Sequence, residues 1–183
     1  MMDRSLLIDG FLRSVGWIGA TRRMLAGDAS FRRYERIKFK NKTAILMDAP
    51  PPAEDVRPFI KITKHLASLG YSVPRIMCQD IDAGFLLLED LGDKTYSNAL
   101  TAGVEEKRLY QSAVDVLIDL HSLEASEAVP IEIESYDNEK LLAEANFFVD
   151  WYMAGILGNA VSRDVKNDFQ DIWYKLLLSI QIK

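Results

Sequence analysis

Gly84-Phe85-Leu86-Leu87-Leu88-Glu89-Asp90-Leu91-Gly92-Asp93 is an apolar run that turns abruptly acidic between two glycines. Its apolar part has the length of a buried strand, and the acidic tail returns the chain to solvent. Two readings follow from these residues alone. The run is either a sheet-core strand that ends in a polar turn, or a strand that empties into an exposed crossover between two bodies.

The flanking sequence gives an order of elements. Leu7, Phe11 and Val15, beside Ile8 and Leu12, form one face of a helix over about 4–15. Three strand-like segments follow near 21–25, 31–39 and 43–48, separated by Gly27-Asp28-Ala29-Ser30 and by Lys40-Asn41-Lys42, which reads as a meander. Pro50, Pro51 and Pro52 stop the third strand. Val56, Phe59, Ile60, Thr63, Leu66 and Ala67 then fall on a helical stripe that ends at Gly70, with Asp55 as its cap and Pro58 in its first turn. Two more strands, 75–78 and 85–88, complete a small sheet. Beyond the acidic tail the chain turns helical, over 105–120, 139–154 and 164–180, the last opened by Ser162. The composition changes near 96–103. The last helix carries Phe169, Ile172, Trp173, Leu176, Leu177 and Ile180, a surface that expects a covering partner: the rest of a helical body, a missing C-terminal segment or an oligomer contact.

The 183 residues are 49% apolar and 27% charged, ordinary values for a globular chain with a sizeable core. No apolar run is long enough to span a bilayer and no cleavable leader is evident, so a cytoplasmic location without membrane contact is expected. One cysteine, Cys78, and two histidines, His65 and His121, exclude an internal disulfide and a zinc site of the usual kind. The net charge of −5 is uneven: residues 22–42 hold eight basic side chains against Asp28 and Glu35, which leaves −11 for the remainder. That segment fits a phosphate site or a solvated hairpin face. Nucleic acid is not the expected partner, because the acidic remainder repels a phosphate backbone at long range.

The order of elements, taken with Gly27-Asp28-Ala29-Ser30-Phe31-Arg32-Arg33-Tyr34, Met47-Asp48-Ala49-Pro50-Pro51, Val73-Pro74, Phe85 through Gly92, Leu117-Ile118-Asp119-Leu120-His121 and Asp150-Trp151-Tyr152, resembles the aminoglycoside phosphotransferase and choline kinase family, whose fold is protein-kinase-like. Within that family the resemblance is nearest to bacterial kinases that phosphorylate N-acetylmuramate and N-acetylglucosamine at the anomeric hydroxyl. It implies an α+β fold: a kinase-like small lobe over 1–95, made of a five-stranded antiparallel sheet plus a helix, with its hinge at 88–93, then the first helices of a helical large lobe over 96–183. It implies ATP as nucleotide and a sugar or amino sugar as acceptor.

The same resemblance assigns roles by residue. Adenine would meet backbone groups of Leu88, Glu89, Asp90 and Leu91, with leucine walls. Gly27 and Ala29 would let the nucleotide-covering loop approach phosphate oxygens, Ser30 would donate its hydroxyl, and Arg32 or Arg33 would supply charge. The loop is neither a Walker loop nor a dinucleotide fingerprint, since no Gly-Lys-Ser/Thr follows and it joins two strands. Asp150, Trp151 and Tyr152 are candidates for the sugar wall, with helix packing as the plainer reading of the two aromatics.

Two departures from the kinase pattern stand out. The third strand ordinarily carries a lysine that pairs with the phosphates and with a helix glutamate. Here Met47 and Phe59 fall near those positions, which shifts the charge to Arg32 or Arg33, with Asp48 as an orienting carboxylate. The resemblance also implies a His-x-Asp-x-x-x-x-Asn segment and a later aspartate for catalysis and magnesium, yet His65 precedes Leu66-Ala67 and His121 precedes Ser122-Leu123. No catalytic residue and no metal ligand is therefore assigned; magnesium belongs to a complete enzyme. The chain is expected to be a truncated product or a natural fragment, inactive alone, and its alternative role is a non-catalytic kinase-like module that binds a nucleotide or a partner.

Overall fold

The computed structural model describes residues 3–25, 30–130, 133 and 135–179, which form two compact units, 1–131 and 132–183. The first begins with α1 (Arg4–Ser14), capped by the Asp3 carboxylate, which accepts from the Ser5 amide. Strands β1 (Thr21–Met24), β2 (Arg33–Phe39), β3 (Lys42–Asp48), β4 (Ile76–Asp80) and β5 (Phe85–Glu89) form one sheet in the order β1-β2-β3-β5-β4, each pair antiparallel. The five-stranded sheet and the helices around it are the expected α+β arrangement.

Strand alternation sends neighbouring side chains to opposite faces, and both faces are apolar here. Ile37, Ala44, Leu46, Phe85 and Leu87 pack against Ile8, Phe11 and Leu12 of α1 and against Trp17. Met47, Leu86 and Leu88 pack with Ala49, Val56 and Ile60 on the other face, where α2 (Arg57–Ser68) lies. A strand covered on both sides reads as a continuous apolar run, which is why Phe85–Leu88 shows no alternation. All four residues are buried.

Local chemistry fixes the joints. The cap of α2 is Val56 and not the expected Asp55, which lies one residue earlier and whose carboxylate accepts from the Arg57 amide at 2.9 Å. That amide bond, helped by the Arg57 side chain, outweighs the opposing effect of burial and holds the Asp55 carboxyl below its usual range. Gly84, at φ +73°, turns β4 into β5 so closely that a Cβ there would lie 2.0 Å from the Ala49 carbonyl oxygen. The Ala49 amide in turn donates to the Gly84 carbonyl at 2.9 Å.

After β5 come α3 (Tyr96–Thr101), α4 (Glu106–Ser122) and α5 (Ala125–Ala128). Residues 96–103 thus contain a helix that the composition did not announce, capped by Thr95 Oγ1 accepting from the Asn98 amide. Tyr71 after α2 donates its hydroxyl to Asp119 of α4 at 2.7 Å, and His65 Nε2 lies 3.1 Å from the Ala128 carbonyl.

The second unit contains α6 (Asn138–Phe147), a π-helical turn (Phe148–Met153), α7 (Ala154–Leu157) and α8 (Arg163–Ser179). The single helix expected over 139–154 is thus interrupted by the wider turn, which a hydrophobic period cannot reveal. Ser162 Oγ accepts from the Val165 amide at 3.4 Å at the start of α8. Rings of Tyr152, Phe148, Phe169 and Trp173 follow one another at 5.3, 6.0 and 6.1 Å and join the π turn to α8. Ile172, Leu176 and Leu178 remain about half exposed or more.

Candidate nucleotide site on the α2 face

Sheet register builds the site. Tyr34, Met47 and Leu86 stand opposite one another across β2, β3 and β5, and the next row on the same face is Arg36, Ile45 and Leu88. The first row sits on the α2 cluster, with Met47 fully buried and Phe59 packed against the same group. Met47 and Phe59, expected near the lysine and glutamate positions of a kinase, therefore belong to one apolar cluster. Charge enters only at the margins.

One margin is the end of β5. Leu88 is buried, whereas Leu91 is 64% exposed. Between them the Asp90 carboxylate accepts from the Gly92 amide at 3.0 Å, an Asx turn that bends the backbone out of the sheet. Arg36 reaches from β2 to this turn: its Nη2 donates to Asp90 Oδ1 at 3.0 Å, and its Nη1 donates to both oxygens of Asp93 at 2.8 Å. Burial pushes the Asp90 carboxyl up, but the Gly92 amide, Arg36 and Thr43 prevail and hold it below the ordinary carboxylate range. Asp93 and Asp90 together strengthen the protonated state of Arg36. Among the described residues the amides of Asp90 and Leu91 have no acceptor. Glu89 is committed elsewhere, since its amide donates to the Arg75 carbonyl at 2.9 Å and its carboxylate accepts from the Arg75 amide at 3.2 Å.

The other margin is the approach to β2. Gly27 and Ala29 lie outside the described residues. Ser30 Oγ accepts from the Arg32 amide at 3.2 Å. Glu54, in the segment before α2, accepts from the Phe31 amide at 3.1 Å and from Arg32 Nε at 2.9 Å. Burial works against the charge of Arg32, and Glu54 with Tyr34 more than offsets it, so the guanidinium is held protonated. Arg33 is exposed, and among the described residues it has no ion-pair partner.

Asp48, read from the sequence as an orienting carboxylate, faces α1 instead. Arg4 donates to its Oδ1 through Nε at 2.8 Å and Nη2 at 2.6 Å, and Nη2 also reaches the Ala83 carbonyl. Alternation along β3 gives the reason: Ala44, Leu46 and Asp48 share the α1 face, opposite to Ile45 and Met47. Arg36 and Glu54 are the residues that sequence reasoning missed. Arg36 could have been found, because it lies two residues beyond Tyr34 and therefore on the same face.

In the second unit Asp150, Trp151 and Tyr152 all belong to the π turn. Asp150 pairs with Lys166 of α8, Trp151 is 75% exposed, and Tyr152 stacks on Phe148. Turns of this kind are frequent at functional sites. Magnesium, which phosphoryl transfer requires, needs a set of oxygen ligands. Among the described residues no group of three His, Cys, Asp or Glu side chains could hold a metal, and the acidic pair at the turn, Asp90 and Asp93, is taken by Arg36. These residues do not fit a metal centre.

Residues 21–171 match the profile of the phosphotransferase enzyme family. An N-acetylmuramate/N-acetylglucosamine kinase of Pseudomonas aeruginosa is 44% identical over 133 residues, covering 73% of this chain and 38% of that protein. Kinases of the same name from Pseudomonas putida and Caulobacter vibrioides are 41% and 30% identical, over 73% and 81% of this chain and 38% and 50% of their own. The chain spans half the length, or less, of these curated relatives. It belongs to the phosphotransferase enzyme family.

Proposed function

We propose that the chain supplies the nucleotide-binding part of an ATP-dependent kinase for a small sugar, with its small lobe over 1–95, hinge at 88–93 and helical part over 96–183. The observation that carries this reading is the pair of acceptor-free amides at Asp90 and Leu91, placed at the end of the apolar row Ile45–Leu88. Adenine has a flat apolar face and an edge of acceptors and donors, which suit such a row and such amides. Ser30, Arg32 and Arg33 would then meet the phosphates, Arg32 through those N–H groups that Glu54 leaves uncommitted.

The acceptor follows from the relatives, named for N-acetylmuramate and N-acetylglucosamine. In the transfer the bond between the γ-phosphorus and the β,γ-bridging oxygen breaks, ADP departs, and the sugar hydroxyl forms the new P–O bond while its proton passes to a carboxylate base of the complete enzyme, a role assigned to no residue of this chain. Trp151, exposed on the π turn, offers a ring for the apolar face of a sugar. A cytoplasmic location accords with this chemistry, and among the described residues no helix is long and apolar enough to cross a membrane.

Calorimetric titration of the 183-residue chain with ATP tests the reading. Saturable binding that adenosine displaces is expected; no heat at millimolar ATP would overturn it. A second reading, a non-catalytic module, is favoured by the apolar cluster that takes in Met47 and Phe59. Phosphoryl transfer from labelled ATP to N-acetylmuramate by this chain would exclude it.

A further inference from the structure

Met47 and Phe59 leave the sheet and α2 without the ion pair that elsewhere holds a cation against nucleotide phosphates. A cation and a carboxylate do meet on the same face, one segment away. Arg32 stands two residues before Tyr34, and Glu54 two residues before Val56, so the pair borders the row Tyr34–Met47–Leu86. The arginine side chain is 29% accessible and the glutamate 12%.

The bonding pattern is asymmetric. Glu54 takes Arg32 Nε and the Phe31 amide, which ties the loop end to the segment before α2 at two points. A guanidinium has five N–H donors in a rigid fork. With Nε fixed by Glu54, its remaining donors, apart from the one shared with Tyr34, point in a set direction at the loop end. A free arginine would lose side-chain freedom on meeting a phosphate; this one has already lost it.

We propose that Glu54 is a positioning residue, which holds Arg32 for the nucleotide phosphates and so replaces the lysine–glutamate pair that β3 and α2 lack. The inference rests on the nucleotide-binding reading above. It places no new group on the nucleotide itself: Glu54 acts through Arg32.

Titrations of the 183-residue chain with ATP and with adenosine test it, because a role in folding alone would move both ligands together. Glu54→Gln is expected to weaken ATP about tenfold and to leave adenosine within about twofold. Arg32→Gln should weaken ATP by at least as much, and the double variant should add little to it, since both act on one contact. Glu54→Asp, which keeps the charge but withdraws it by one methylene, should fall between and serves if Glu54→Gln does not fold. Equal loss for both ligands, no loss for either, or tighter ATP binding by Glu54→Gln would each overturn the proposal while nucleotide binding by the unaltered chain still stood. Failure of the unaltered chain to bind ATP would overturn the nucleotide reading and this inference with it.

Discussion

Arg36 of β2 and Asp90 after β5 meet across an intervening strand, with Nη2 donating to Oδ1 at 3.0 Å over 54 residues of chain. This contact decides where the backbone of the crossover goes. Asp90 simultaneously accepts from the Gly92 amide, so releasing one bond loosens the other. Arg36→Gln should raise hydrogen exchange at the Gly92 amide by about tenfold or more while leaving the β3 amides unchanged. Equal exchange at Gly92 in both proteins would refute the coupling.

The same carboxylate gives an acid-side prediction. The folded-state value of Asp90 lies below its unfolded value, about 3.9. Its contribution to stability is therefore complete above that unfolded value and is lost as pH falls through the lower folded one. Asp90→Asn should flatten this part of the stability curve, as read from urea midpoints between pH 5 and 2.

Tyr71 makes the opposite prediction. Donation to Asp119, reinforced by burial and by the nearby charge, raises the phenol above its ordinary value of 10.0. The stabilisation is present below the unfolded value and disappears as pH rises through the folded one. Tyr71→Phe should be less stable at neutral pH yet lose less than the unaltered chain on going to high pH. Thermal midpoints from pH 8 to 11 provide the check.

Met47→Lys puts a charge in a place that cannot receive it. Met47 is fully buried and Phe59 shares its cluster, so the ammonium would have no partner there. A loss of about 3 kcal/mol or more is expected in urea unfolding. Adding Phe59→Glu should recover at least about 1 kcal/mol of it if the two positions face each other.

Gly84→Ala places a methyl group 2.0 Å from a backbone oxygen, where no flexible side chain can yield. With φ at +73° the conformation is also unfavourable for any other residue. A destabilisation of about 2–3 kcal/mol is expected. An unchanged denaturation midpoint would show that the Ala49–Gly84 junction relaxes freely.

The five strands and the neighbours β2–β3 and β4–β5 follow from features that local sequence expresses well, the turns at Lys40–Lys42 and at Gly84, the prolines after Asp48 and apolar runs of strand length, whereas the pairing of β3 with β5 joins distant segments and has no local mark. Helix α3 is six residues long, too short to show a stripe that would betray it. The π turn at Phe148–Met153 is hidden because Phe-Val-Asp-Trp-Tyr-Met reads as uninterrupted helix. At the candidate site, Leu88, Asp90, Arg32 and Met47 were legible as positions. Their partners were not, because Arg36–Asp90 and Arg32–Glu54 join residues 54 and 22 apart, and side-chain pairing at that distance leaves no mark on a local pattern. The Arg4–Asp48 pair, between residues 44 apart, is hidden for the same reason.

The borders of the sheet have a consequence for solution behaviour. β1 is four residues long and carries Arg22 and Arg23, while β4 is broken by an irregularity between Ile76 and Cys78. Short, cationic or kinked outer strands resist the stacking of one molecule's ladder onto another's. Meanwhile Ile118 of α4 and Ile156 and Ile172 of the second unit present apolar surface to water. Aggregates of this protein should therefore grow through helix faces, keep their far-ultraviolet helical signal and fail to bind amyloid dyes.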